Sequence, residues 1–143
     1  MKTLTAANSI FTLSIGDVLG VPIQLEGYTT SDAFTVDGHA PTEVRQGVDG
    51  HMSTGFVHSL KKITIKLEPT SKSVAAFDAW NAAMETTVDA YLANAEISLP
   101  GVGMKYVCTN GALTKYTPMP PVKKMLDPLD YEITFEKIVP IPL

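Results

Sequence analysis

The stretch KKITIKLEPTSKSVAAFDAWNAAMETTVDAYL, residues 61–92, changes its period half-way and thereby sets the fold class. In its first part Ile63, Ile65 and Leu67 alternate with Thr64, Lys66 and Glu68, the pattern of a strand with one buried and one polar face. After Pro69 the apolar residues Val74, Phe77, Trp80, Met84, Val88 and Tyr91 recur every three or four positions, which lines them along one face of a helix. Ser71 and Ser73 stand before that run as N-cap candidates, so the spacing predicts an amphipathic helix over about 72–92. Phe77 and Trp80 each offer ~150–250 Å² for burial, at most roughly 4–6 kcal/mol apiece at ~25 cal/mol/Å². The stripe is read as core packing of a helix laid across a sheet, and not as a cofactor box.

Working outward, period-two alternation dominates the rest of the chain. Phe11, Leu13 and Ile15 alternate with Thr12 and Ser14; Val21, Ile23 and Leu25 with Pro22, Gln24 and Glu26; Tyr131, Ile133 and Phe135 with Glu132, Thr134 and Glu136. Further strand candidates are 33–36, 43–47, 51–58, 96–99 and 104–109. Pro22 assigns its strand to a sheet edge or to a strand start. Gly16-Asp17, Asp37-Gly38, Asp49-Gly50 and Asn110-Gly111 are turn dipeptides, and Asp49-Gly50 sits between two strand-like runs as a hairpin does. Residues 114–130 hold Pro118, Pro120, Pro121 and Pro128 and are expected to form an extended loop or arm. The apolar tail 138–143, with Pro140 and Pro142, is expected to pack either on its own domain or on a neighbour. The fold expected is mainly β (α+β): a β-sandwich or open β-barrel flanked by the one helix, with the whole chain, 1–143, as a single domain.

At 143 residues the chain can bury roughly two-thirds of its unfolded surface without a metal or disulfide. Charged residues are only 18% of the total, a modest fraction that fits a surface partly covered by partners. The formal net charge of -4 and the scattered bases, paired only at Lys61-Lys62 and Lys123-Lys124, argue against a phosphate-gripping surface. A single cysteine, Cys108, excludes an internal disulfide and reads as a buried inert thiol within a strand. The N-terminal stretch MKTLTAANSIFTLSIGDVLG alternates apolar residues with Thr and Ser, so it reads as a strand and not a signal peptide. No run approaches the ~20 apolar residues of a membrane helix.

No catalytic pattern emerges. His39, His51 and His58 read as surface or loop residues without a completing zinc set. Gly101–Gly103 in LPGVGMKY lacks the dinucleotide spacing and reads as a turn into a strand. Asp127, Asp130, Glu132 and Glu136 could hold a metal, but alternate solvent-facing strand positions explain them as well. The expectation is no catalytic residue, no cofactor and no metal: a structural protein and not an enzyme.

The succession of a strand, a Gly turn, a second strand, the hairpin GVDGHMSTGFVHS (47–59), the strand KKITIKLEP (61–69) and the helix opening TSKSVAAFDAW (70–80) resembles the bacteriophage tail tube proteins. The resemblance covers 13–92, with a looser fit at 130–138. It implies six-membered rings stacked into a hollow tube for DNA ejection, in a virion tail assembled from subunits made in the host cytoplasm. It implies self-association, with sheath, baseplate and tail terminator as further partners. DNA passes through the lumen without specific binding, and the subunit does not insert in membrane. An acidic protein suits that conduit, because negative charge lets DNA slide. Polar strand faces of Thr, Ser and Gln suit edge-to-edge pairing between subunits. The segments expected at contacts are 37–59, the N-terminal arm 1–8 and the Pro-rich C-terminal stretches. The alternatives are another ring component of related fold (terminator, baseplate or secretion tube) and a soluble ligand-binding β-barrel.

Overall fold

The computed structural model of the protein describes residues 9–16, 22–25, 34–120 and 122–143. The N-terminal arm 1–8, Asp17, Val21, Glu26, Ala33 and Pro121, all used above, lie outside the described residues. The elements run β1 (Ile10–Ile15), β2 (Ile23–Gln24), β3 (Phe34–Val36), β4 (Thr42–Gln46), β5 (Met52–Phe56), β6 (Lys61–Leu67), α1 (Val74–Thr87), β7 (Ala93–Leu99), β8 (Met104–Lys115) and β9 (Leu129–Pro142). All but β4 and β5 form one antiparallel sheet in the order β2-β1-β7-β8-β9-β6-β3, and β4 and β5 pair separately. The protein is therefore mainly β with one helix among the described residues, and its sheet is open, not closed into a barrel. Pro22 immediately precedes β2, which ends the described sheet on one side.

Alternation decides which face is buried. Phe11, Leu13 and Ile15 of β1, Ile63, Ile65 and Leu67 of β6, and Tyr131, Ile133 and Phe135 of β9 are all fully buried. They join Phe77 and Trp80 of α1 in a single core cluster. Strands β1 and β6 lie four places apart in the sheet, yet both feed that cluster, so the sheet folds over toward itself with α1 against the enclosed face. Aromatic rings anchor the centre: Phe77 stacks on Tyr131 at 4.3 Å between centroids and on Trp80 at 6.3 Å.

The helix is shorter than its stripe. It ends at Thr87, where Val88 takes a left-handed conformation (φ 53) and stands 89% exposed. Thr86 and Thr87 turn their hydroxyls back onto the carbonyls of Ala82 and Ala83, a bonding mode that weakens a helix end. Tyr91 still reaches the core, but from an irregular segment whose carbonyl accepts the Trp80 Nε1–H at 2.9 Å. At the other end Ser73 is the N-cap without a side-chain cap bond, while Ser71 Oγ accepts the Ser73 N–H.

Three other expectations are corrected. Asn110-Gly111 is no turn: it lies inside β8 at a register shift between β7 and β8, and the bulge absorbs the left-handed Asn110 (φ 53). Gly111 follows because Phe135 faces it across the strands; a Cβ there would sit 2.6 Å from Phe135 Cδ1 and 2.8 Å from Ile133 Cγ2. Asp37-Gly38 follows β3 without positive φ. The proline-rich connection is confined to 116–128, its ends being drawn into β8 and β9. The apolar tail packs on its own domain, continuing β9 against β8 out to Met104↔Pro142.

Candidate functional site

The most unusual surface is the hairpin β4–β5. Its turn depends on Gly50 at φ 86, with Gly50 N–H donating to the Gly47 carbonyl at 3.0 Å and His51 N–H donating to Asp49 Oδ1 at 3.1 Å. The sequence placed this hairpin correctly. The pairs Thr42↔Phe56, Val44↔Thr54 and Gln46↔Met52 share one face, and Glu43↔Gly55 and Arg45↔Ser53 the other. Every residue of both strands is exposed, including Val44 (57%), Met52 (69%) and Phe56 (71%) on the same face. Two strands standing free of a core are marginally stable at best in water. An amphipathic hairpin that leaves the apolar side chains of one face exposed is suited to be covered by something else.

A cleft of about 650 Å³ opens at the base of the hairpin, between Phe56, His58 and Leu60 on one side and Asn110, Glu136 and Lys137 on the other. It marks where β9 parts from β6, since their pairing stops at Lys61↔Phe135. Ser59 Oγ is buried there without a hydrogen-bond partner among the described residues. Asn110 Nδ2 donates to Glu136 Oε2 at 2.7 Å across the same wall.

Beyond Phe135 the far side of β9 has no strand beside it among the described residues. Leu143 N–H donates to the Gly103 carbonyl at 2.9 Å, so Val139, Ile141 and Leu143 turn their peptide groups to β8 while Ile138, Pro140 and Pro142 turn theirs outward. Both prolines thus place their missing N–H on the open edge. That explains how two prolines fit in a strand, and it leaves an edge rich in acceptors and poor in donors.

The residues weighed for chemistry are scattered. His39, His51 and His58 are exposed, and neither His51 nor His58 falls within β5. Cys108 is fully buried, and burial pushes its thiol up to about 11, far from the reactive thiolate range. Asp127 pairs with Lys123 at 3.1 Å, Glu132 lies 4.0 Å from Lys62, and Glu136 accepts from Asn110. Among the described residues no three His, Cys, Asp or Glu side chains come together as metal ligands would. One polar contact has no counterpart in the sequence reading: Tyr116 donates to Asp78 Oδ1 of α1, and that bond, with burial, pushes the Tyr116 phenol up to about 12. Beneath it Tyr131 is pushed up by burial, and its hydroxyl has no partner among the described residues. No helix of the described residues is long and apolar enough to cross a membrane.

Comparison with known proteins bears on these surfaces. Residues 2–139 match the family described as tail fiber protein gp32. The chain belongs to that family. It is a family of tail proteins, the kind that the order of elements resembled. No curated protein matches the chain in sequence. Among solved structures, a chain of the anti-feeding prophage baseplate, 6-fold symmetrised, superposes with a TM-score of 0.62 at 10% identity, covering 99% of this chain and 98% of the other. A chain of the anti-feeding prophage tube-terminating cap gives 0.60 at 13% identity, over 100% and 93%. A chain of the sheath-tube complex of the PVC extracellular contractile injection system gives 0.60 at 16%, over 93% and 88%. The gp32 family member shares its fold with these chains over nearly its whole length.

Proposed function

We propose that this chain is a virion structural protein, the repeating subunit of a tail tube: six copies close a ring, and rings stack into a hollow conduit for DNA. The observation that carries this reading is the hairpin β4–β5, whose strand residues are all exposed and whose Val44, Met52 and Phe56 share one uncovered face. An exposed apolar face of this kind marks a contact surface, and repeated contact between different patches of identical subunits gives rings or filaments. Membership in a tail-protein family and likeness to chains from a sheath-tube complex and a 6-fold baseplate support the same reading. In it the whole chain acts as a single domain and performs no chemistry. The subunit is made in the host cytoplasm and resides in the tail, its partners being further copies, then sheath, baseplate and terminator. DNA slides through without specific binding, helped by the net charge of -4.

A second reading, a ring component that stops after one layer, is favoured by the likeness to a baseplate chain and a tube-terminating cap chain. Concentration of the purified protein, followed by negative-stain microscopy and light scattering, separates the two. Tubes of indefinite length support the tube subunit; single rings support the ring component. A chain that stays monomeric at every concentration, also in the presence of a tail initiator complex, refutes both.

A further inference from the structure

Charge is divided unevenly along this chain. From Ser73 to Met104 there is no Lys, Arg or His, while Asp78, Glu85, Asp89 and Glu96 fall in that span. Four acids without a base give -4, equal to the formal charge of all 143 residues, so the rest of the chain is balanced. Three of those acids belong to α1 and the turn after it. The outward side of α1 carries Ala75, Ala79 and Ala82, all exposed, and continues into Glu85 and Asp89. Small side chains let another surface approach the helix backbone closely, and carboxylates mark where a cation would sit.

The complementary surface is on the same chain. The connection between β8 and β9 folds into a knuckle closed by the bridge Val122↔Leu126 and by the Lys123–Asp127 ion pair. Met119, Val122, Met125 and Leu126 are all exposed on it, Met125 to 80%. Lys123 and Lys124 stand among them, and Lys124 has no ion-pair partner among the described residues. The connection starts beside α1, where Tyr116 donates to Asp78, and the apolar side chains of the knuckle are exposed.

We propose that the β8–β9 knuckle of one copy docks on the outer face of α1 of the next copy, with Met125 and Leu126 against the alanines and Lys123 and Lys124 toward Glu85 and Asp89. The inference rests on the self-assembly reading above and specifies one lateral contact within it. Apolar contact supplies the adhesion and charge fixes the orientation and the rate of encounter. Knuckle and helix are different patches, so a copy that docks its knuckle on one neighbour and receives another neighbour's knuckle on its helix makes a head-to-tail contact, which closes into a ring or runs on as a filament. Its charged part weakens with salt, as exposed ion pairs do.

The test is a charge exchange in the full chain, read by the concentration at which light scattering detects assembly at low salt. Lys123→Glu with Lys124→Glu, and separately Glu85→Lys with Asp89→Lys, are each expected to raise that concentration by roughly tenfold or more. All four substitutions in one chain should return it toward the original value. Circular dichroism verifies that each variant is folded. Mixed Met125→Cys and Ala82→Cys chains, both also Cys108→Ala, should form a disulfide-linked pair between the two variants under mild oxidation. Normal assembly of either charge-reversed variant overturns the contact and leaves the self-assembly reading standing. Impaired variants that the exchange fails to rescue also overturn it, because the knuckle would then have another receptor. A wild-type chain that never assembles overturns both.

Discussion

Replacing Trp80 with alanine tests the core on which every surface described above depends. Trp80 is fully buried, stacks on Phe77, and donates its Nε1–H to the Tyr91 carbonyl. Deleting an indole from a packed core costs about 3–5 kcal/mol, transfer and cavity together. Aromatic stacking contributes roughly 0.5–1.5 kcal/mol of that. The orphaned carbonyl adds to the cost, because Tyr91 lies in the irregular segment that leads α1 into β7. A value near the middle, about 4 kcal/mol, corresponds to a fall in Tm of roughly 10–15 °C for a chain of this size. Trp80→Phe separates the contributions: it keeps a ring against Phe77 but removes the donor, and should cost about 1–2 kcal/mol.

Urea unfolding followed by far-ultraviolet circular dichroism measures both variants, at concentrations where the chain is monomeric, since assembly would add its own stabilisation. Trp80 is the only tryptophan, so its emission in the wild-type protein reports this site alone and should be blue-shifted until the core opens. A loss below about 1 kcal/mol for Trp80→Ala would refute the burial argument, because it is the size of an ordinary substitution. It would mean that α1 does not cover the sheet.

Gly111→Ala should destabilise by about 2 kcal/mol or more, measured by the same urea unfolding, because the new methyl meets Phe135 and Ile133 inside contact distance. Cys108 should resist a thiol reagent at pH 8 until denaturant is added, its thiol being buried and raised to about 11; prompt labelling of the native chain would contradict that. Tyr116 has its folded pKa raised above the unfolded value near 10, so the stability it contributes is complete below pH ~10 and is lost as pH rises toward 12. Asp78→Asn should bring the Tyr116 titration, followed by tyrosinate absorbance, back toward 10. Phe56→Asp should leave monomer stability within about 0.5 kcal/mol of wild type, since the side chain is 71% exposed and meets only the exposed His58 ring among the described aromatic residues, yet suppress assembly in light scattering.

Strands with one buried face were legible because their period reports burial directly: Phe11, Leu13 and Ile15, then Ile63, Ile65 and Leu67, then Tyr131, Ile133 and Phe135 all point inward as their alternation requires. The helix was legible as far as its face touches the sheet, through Val74, Phe77, Trp80 and Met84. Its end was less so, because Trp80 of the helix donates to the carbonyl of Tyr91, which lies beyond the helix end in an irregular segment. A local signal existed in Thr86-Thr87-Val88, three β-branched residues in succession with low helix propensity. Asn110-Gly111 misled for another reason. The dipeptide does impose a left-handed residue, but a strand can absorb one in a bulge when its neighbours across the sheet continue, and that depends on β7 and β9. Pro140 and Pro142 were compatible with a strand only because both peptide nitrogens face an unpaired edge, a fact of register that composition does not contain.

The same distinction bears on the surfaces. A side chain in the core has its partner in the same chain, so sequence period and structure carry the same information. The hairpin β4–β5 obeys every local rule of a hairpin, with a glycine turn, a continuous register and one apolar face, yet none of its strand residues is buried. Nor is the distal part of β9 protected by a neighbouring strand among the described residues; it is guarded only by prolines that remove donors. A monomer selected to stay monomeric would place charge at both sites, since exposed apolar strands and open edges invite association. Here the hairpin keeps Val44, Met52 and Phe56 exposed while the β9 edge is made unfit for a regular ladder. One site is open to contact and the other is restricted against strand addition, so association is directed to face-on packing through side chains. That division predicts where interface substitutions act: changes to the apolar face of the hairpin should control assembly, whereas Pro140→Ala with Pro142→Ala should leave the monomer folded and permit irregular edge-to-edge aggregation. Turbidity and electron microscopy of that double variant would show amorphous or fibrous material in place of ordered rings or tubes, and unchanged ordered assembly would show that the prolines guard nothing.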